Sequence, residues 1–157
     1  SRSSVRRLIS AFSRRTSAES FAVGSSAASA PSAGTLAMLS KAGDAIRASL
    51  PLGGAGFSDE DVLALLTKRL GTLRPGYGKS SASESKDLLI GLGAVYGDLF
   101  VRRLGWRWRE LTAGDEQTLA VATPDDSHFI DVLAYIEALL KHKQRDITLT
   151  LLHYGSL

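Results

Sequence analysis

One apolar run with three glycines inside it, KDLLIGLGAVYGDLFVRRLGWRWREL over residues 86–111, restricts this chain more than any other stretch. Leu88, Leu89, Leu92, Val95, Tyr96, Leu99, Phe100 and Leu104 recur at intervals of three and four, the spacing of a helix face. Ser83 or Ser85 is the expected N-cap, and Gly105 the expected stop, because glycine takes the left-handed conformation cheaply. Gly91, Gly93 and Gly97 lie within the helical rhythm. Each costs about 1 kcal/mol relative to alanine, and close approach of a second element is the usual offset. Gly93 and Gly97 stand four apart, on one face, so a packing role is expected for both. The spacing is G-x-G-x-x-x-G with no strand before it, which is not the dinucleotide fingerprint. Gly76-Tyr77-Gly78-Lys79-Ser80 ends like a phosphate loop, but Leu73 stands where the first glycine is required, so it reads as a plain loop.

After Gly105 the period changes to two, which marks a strand. Trp106, Trp108 and Glu110 share one face; Arg107, Arg109 and Leu111 share the other. The tryptophans are expected to pack on the helix. Arg102, Arg103, Arg107 and Arg109 are expected to form an exposed basic patch that binds a protein partner.

With 157 residues, 44% apolar and 22% charged, the chain fits one globular domain plus a tail. The division expected is a flexible basic leader over 1–33 and a single α+β domain over 34–157. In the leader, Arg2, Arg6, Arg7, Arg14 and Arg15 face one acid, Glu19. Val5, Leu8, Ile9 and Phe12 follow i, i+3, i+4, i+7, a short basic amphipathic helix. Residues 24–33 are small and polar and read as a linker. Four readings fit this leader: a tail or a helix docked on its own domain, a targeting or secretion address, a partner-binding helix, or a membrane-surface contact through residues 1–15.

The remaining elements follow from periodicity and caps. A helix over 35–50 points Leu36, Leu39, Ala42, Ile46 and Leu50 inward and ends at Pro51-Leu52-Gly53-Gly54. Ser58 and Asp61 form a capping-box pattern ahead of Val62, Leu65, Leu66 and Leu70, with Gly71 as the stop. A hairpin turn at 113–116 joins the tryptophan strand to a partner over 118–122. His128-Phe129-Ile130 is a short third strand, set against one long helix from Pro124 as the alternative. Asp131 then caps a helix over 132–143. Residues 147–154 alternate and read as a last strand. The fold class expected is thus α+β: N-terminal helices, then a small antiparallel sheet of three or four strands packed on two helices.

Leu92-Gly93, Gly97-Asp98, Leu104-Gly105-Trp106-Arg107-Trp108 and Thr123-Pro124-Asp125 carry a resemblance over residues 86–154. This order is similar to that of bacterial families of small α+β domains of unknown function. Some similar small domains look like immunity or accessory proteins of toxin systems. The resemblance implies a fold and a bacterial origin, not a reaction, and the expected location is the bacterial cytoplasm. Asp131 stands where such domains carry a proline.

Chemistry-bearing residues are few. Zero cysteine leaves no disulfide, thiolate zinc site or cysteine nucleophile. His128, His142 and His153 are the only imidazoles, and none sits in H-E-x-x-H spacing. His128 with Asp125, Asp126 and Asp131 is the one acid–imidazole cluster, and turn and cap roles account for it. No catalytic residue, metal or cofactor is assigned. A net charge of +3 is too small to imply nucleic acid, and no apolar run reaches the ~18 residues of a membrane span. The expected function is non-enzymatic binding of a protein partner, of the accessory or immunity kind. The alternative is a leader-targeted subunit of a larger assembly, in the mitochondrial matrix or secreted.

Overall fold

The computed structural model describes residues 27–50, 58–79, 81–113, 116–142 and 146–156. Helix 5–12 of the leader, the Pro51–Gly54 stop and the Gly114-Asp115 turn tip lie outside the described residues. The elements run β1 (Ala27–Ser29), α1 (Ala33–Ser49), α2 (Asp59–Leu73), a 3₁₀ turn (Arg74–Gly76), α3 (Ala82–Leu104), β2 (Arg107–Ala113), β3 (Glu116–Ala122), β4 (Phe129–Ile130), α4 (Val132–Lys141) and α5 (Ile147–Gly155). The architecture is α+β, a four-stranded antiparallel sheet with helices packed against it.

The glycine-studded segment is α3, and its middle is buried on every side. Leu92, Val95, Tyr96, Leu99 and Phe100 are all fully enclosed, as expected of a helix apolar all round. Ser81, not Ser83 or Ser85, is its N-cap; the hydroxyl accepts from the Glu84 amide at 3.2 Å. Gly105 closes it at φ 72°, the left-handed conformation that suits glycine. The three glycines are contact points with three different elements. A Cβ on Gly91 would meet Ile46 and the Ala42 carbonyl of α1; on Gly93, Leu133 of α4; on Gly97, the ring of Trp108 in β2. Small residues here let the neighbours lie closer than side chains permit.

Capping sets the other helices. Ser32 accepts from the Thr35 amide and starts α1. Ser58 and Asp61 make the full capping box at α2, each accepting from the other's backbone amide. The α2 helix runs past Gly71 to Leu73, so Gly71 is not the stop. The glycine lies on the exposed side with open space around it, which costs the helix propensity and no packing. Leu36 is the one expected inward residue of α1 that stays out, at 43% exposure.

Strand order is β1-β2-β3-β4, all antiparallel. The hairpin pairs Arg107 with Ala122 and Ala113 with Glu116. The stretch read as a linker instead supplies an edge strand: Ala27 lies opposite Thr112 and Ser29 opposite Glu110. The open edge of β2 decides this, because Ala-Ala-Ser has no strand preference of its own.

Residues 147–154 are a helix, not a strand. Their apolar spacing also fits a period of 3.6: Ile147, Leu151 and Tyr154 are buried while Leu149 and Leu152 are exposed. Asp146 breaks the tie by capping, its Oδ1 accepting from the amides of Thr148 (2.8 Å) and Leu149 (3.1 Å). The fourth strand is therefore β1 at the start of the fold, not a strand at its end.

Buried phenols lock α4 and α5 to the core. Tyr96 donates to the Ile147 carbonyl at 2.8 Å and stacks on Tyr135 at 5.6 Å. The Tyr135 hydroxyl meets Thr150 Oγ1 at 2.7 Å. Tyr77 donates to Glu137 Oε2 at 3.3 Å. Burial first, then the Glu137 charge, pushes the Tyr77 phenol up from 10.0 to about 12; burial raises Tyr96 and Tyr135 as well. A raised phenol pKa means the folded state holds its proton when the unfolded chain has lost it. This stability is fully present below pH 10 and is lost as pH rises through 12. Tyrosinate absorbance on alkaline titration is expected to show Tyr77 ionising near pH 12 and Tyr96 and Tyr135 ionising above the ordinary tyrosine range. Three phenols titrating near pH 10 with the fold intact would contradict the placement.

Candidate functional site

The close α1–α3 contact brings charged side chains together. Arg47 of α1 reaches Asp98 of α3, Nη2 to Oδ2 at 3.0 Å. Arg102, one turn on from Asp98, donates from Nε to the same Oδ2 at 2.8 Å. Its Nη1 extends to Asp59 Oδ1 at 3.1 Å. Asp59 is the first residue of α2, where a carboxylate suits the positive end of the helix dipole. Arg47 also holds Asp44 at 3.4 Å. Three helices are thus tied through two carboxylates, Asp98 and Asp59.

Above this chain of charges lies a cleft of about 370 Å³. Leu36, Leu39, Val62, Ala94 and the face of Trp108 form its apolar walls, and Ser40, Arg47, Asp59, Asp98 and Arg102 its polar part. Gly97 makes room for the Trp108 ring, and Thr35 Oγ1 donates to Glu110 Oε1 at 3.2 Å just beyond it. The volume falls in the range of ligand-sized clefts. Its charges are preset by mutual pairing, so little ordering remains for a bound group to impose.

The four arginines do not form one open basic patch. Arg102 belongs to the cleft. Arg103 pairs with Glu60 at 2.6 Å and holds that carboxyl below its usual range. Alternation places Arg107 and Arg109 on the sheet face away from Trp108. Both hold Asp126 Oδ2, at 3.0 and 3.2 Å, and Arg109 is largely buried, at 13% side-chain exposure. Asp126 takes φ 57° to present its carboxylate there. Every one of these guanidiniums is partly neutralised within the chain.

The residues of the acid–imidazole cluster are held by separate partners. His128 Nδ1 meets Ser127 Oγ at 3.0 Å. Asp125 accepts from Ser127 Oγ at 2.7 Å and Thr123 Oγ1 at 2.8 Å, which lowers its pKa to about 2. Asp126 goes to the arginines, and Asp131 caps α4 and accepts from Thr118 Oγ1 at 3.1 Å. Among the described residues no three His, Asp or Glu side chains gather as metal ligands, and no helix is long and apolar enough to cross a membrane.

Trp106 packs against Phe100 at 5.1 Å, and Trp108 lies over Gly97. The Asp98–Arg102 pair was open to detection as an i, i+4 pair on a helix. Arg47 and Asp59 carry no such local signal.

Fold and site together define a small α+β domain with a preorganised amphipathic cleft. No family model, curated protein or solved structure matches the chain.

Proposed function

We propose that this is a non-enzymatic protein-binding domain of the accessory or immunity kind, and that the cleft beside Trp108 is where the partner docks. The observation that carries this reading is the cleft itself, an apolar hollow rimmed by fixed charges. Tryptophan and arginine are the residue types that concentrate binding energy at protein interfaces, and Trp108 and Arg102 line the same hollow. Leu36 at its lip stays exposed although its helix has a buried side to offer. Arg103, with its Glu60 partner, extends the contact surface along α3; Arg107 and Arg109, on the opposite face of the sheet, lie outside it.

Ser40 is exposed and lines the cleft, so Ser40→Trp fills it without touching the core. Wild-type protein is expected to retain a partner from native lysate, and Ser40→Trp to weaken binding of that purified partner at least about tenfold, the equivalent of 1.4 kcal/mol, at unchanged melting temperature. Equal affinity of the two proteins would exclude the cleft. Retention of no protein by the wild type would exclude the binding role.

A further inference from the structure

The two signs of charge in the cleft are engaged to different extents. Arg47 already holds Asp44 and Asp98, and Arg102 already holds Asp98 and Asp59. The carboxylates are engaged through one oxygen each. Both arginines reach Asp98 at Oδ2, and Arg102 reaches Asp59 at Oδ1. Among the described residues nothing donates to Asp98 Oδ1 or Asp59 Oδ2. Both side chains also reach water, at 34% and 26% exposure. Glu110, tied to Thr35 beyond Trp108, adds a further carboxylate, while Arg103 and Glu60 neutralise one another. Four acids, Asp44, Asp59, Asp98 and Glu110, thus stand around the hollow against two guanidiniums. The local balance is acidic in a chain whose net charge is +3. A concave site with apolar walls concentrates such a field, which repels an anion and draws in a cation.

The walls set a second requirement. Leu36, Leu39, Val62 and the Trp108 ring offer no hydrogen bonds along most of the hollow. A group that satisfies both conditions carries its positive charge at the end of an apolar stem. Arginine does this: its methylenes lie along apolar surface while the head stays with its polar partners, and a guanidinium stacks on a tryptophan face. We infer that the cleft receives an arginine side chain from a basic segment of the partner. The stem lies against Leu36, Leu39 and Val62, and the guanidinium sits beside the Trp108 ring, directed at the open oxygens of Asp98 and Asp59. This rests on the reading of the cleft as the docking site and supplies the chemistry of what docks there.

The test titrates the full chain with acetyl-Leu-Arg-Leu-amide and with its glutamine and glutamate counterparts. The chain has two tryptophans, so the indole N–H signal of Trp108 is the one that Trp108→Phe removes. The arginine peptide is expected to shift that signal saturably, about tenfold tighter than the glutamine peptide, and to leave the buried Trp106 unmoved. The glutamate peptide is expected to give no saturable shift. Asp59→Asn is expected to weaken the arginine peptide about fivefold. Asp87→Asn, the same loss of charge at the exposed far end of α3, is expected to leave it unchanged. Ser40→Trp, which fills the cleft, is expected to abolish binding, and it decides the matter even if Asp59→Asn loosens α2. Equal affinity for the arginine and glutamine peptides, or a preference for glutamate, overturns the inference. Arginine binding that neither Asp59→Asn nor Ser40→Trp alters overturns it as well. Such a failure beside a native partner that Ser40→Trp still weakens removes only the occupant and leaves the docking cleft standing. A native partner indifferent to Ser40→Trp removes both.

Discussion

Gly91→Val is expected to destabilise the protein by about 3 kcal/mol, the upper end of what overpacking costs. A Cβ at this position would overlap Ile46 and stand 2.9 Å from the Ala42 carbonyl oxygen. Ile46 has other rotamers, but a backbone oxygen has none. Relief requires α1 to move off α3. The propensity gained on leaving glycine is only a few tenths of a kcal/mol for valine and does not offset the displacement. Because Arg47 follows Ile46 by one residue, its 3.0 Å contact with Asp98 is lost with the shift, and the cleft opens. Chemical denaturation measures the loss. Gly71→Ala is the matched control: nothing lies within 4 Å of its would-be Cβ, so the same removal of a helical glycine is expected to stabilise by up to about 1 kcal/mol. If Gly91→Val falls within about 1 kcal/mol of wild type, the α1–α3 contact is not as close as described.

Phe100→Ala carries the second large effect, a loss of about 3–5 kcal/mol. Phe100 is fully buried at the centre of an aromatic group. Tyr96 meets it edge-on at 5.3 Å, Trp106 lies at 5.1 Å and Tyr154 at 6.4 Å. Trp106 and Tyr154 in turn meet at 5.6 Å. Aromatic pairs of this geometry contribute beyond their buried area, and here they join the Tyr96–Ile147 and Tyr135–Thr150 hydrogen bonds in holding α5. Removing the ring leaves a cavity that rigid neighbours fill poorly. The expected readouts are a lowered denaturation midpoint, a collapsed near-ultraviolet circular dichroism spectrum and a red shift in tryptophan emission as Trp106 meets water. A near-native spectrum would mean that the Tyr96 and Tyr135 hydrogen bonds hold α5 without the Phe100 ring.

Both effects rest on residues that the sequence marks by type but not by partner. Gly91, Gly93 and Gly97 announce close contacts through the propensity they cost the helix. Only the packed chain reveals that the contacts are Ala42 and Ile46, Leu133 and the Trp108 ring. The same division applies at the cleft. Asp98 and Arg102 are visible as a helical pair, whereas Arg47 and Asp59 join them from 51 and 39 residues upstream of Asp98 across two other helices. A basic patch was legible as charge in the strand and helix; its neutralisation by Asp59, Glu60 and Asp126 was not, because ion pairing over such separations has no local periodicity.

Local chemistry alone determined the capping box at Ser58 and Asp61, the left-handed stop at Gly105, the hairpin after the tryptophan strand and the α+β class. Each depends on a few neighbouring residues whose backbone demands do not change with context. Tertiary structure decided the rest. Residues 147–154 satisfy both a period of two and a period of 3.6, and the Asp146 cap with the burial of Ile147, Leu151 and Tyr154 selects the helix. Ala27–Ser29 has no strand preference, and the unpaired edge of β2 recruits it. Where a segment's own preferences are weak or divided, the neighbour that can satisfy its hydrogen bonds and cover its apolar side chains determines its form.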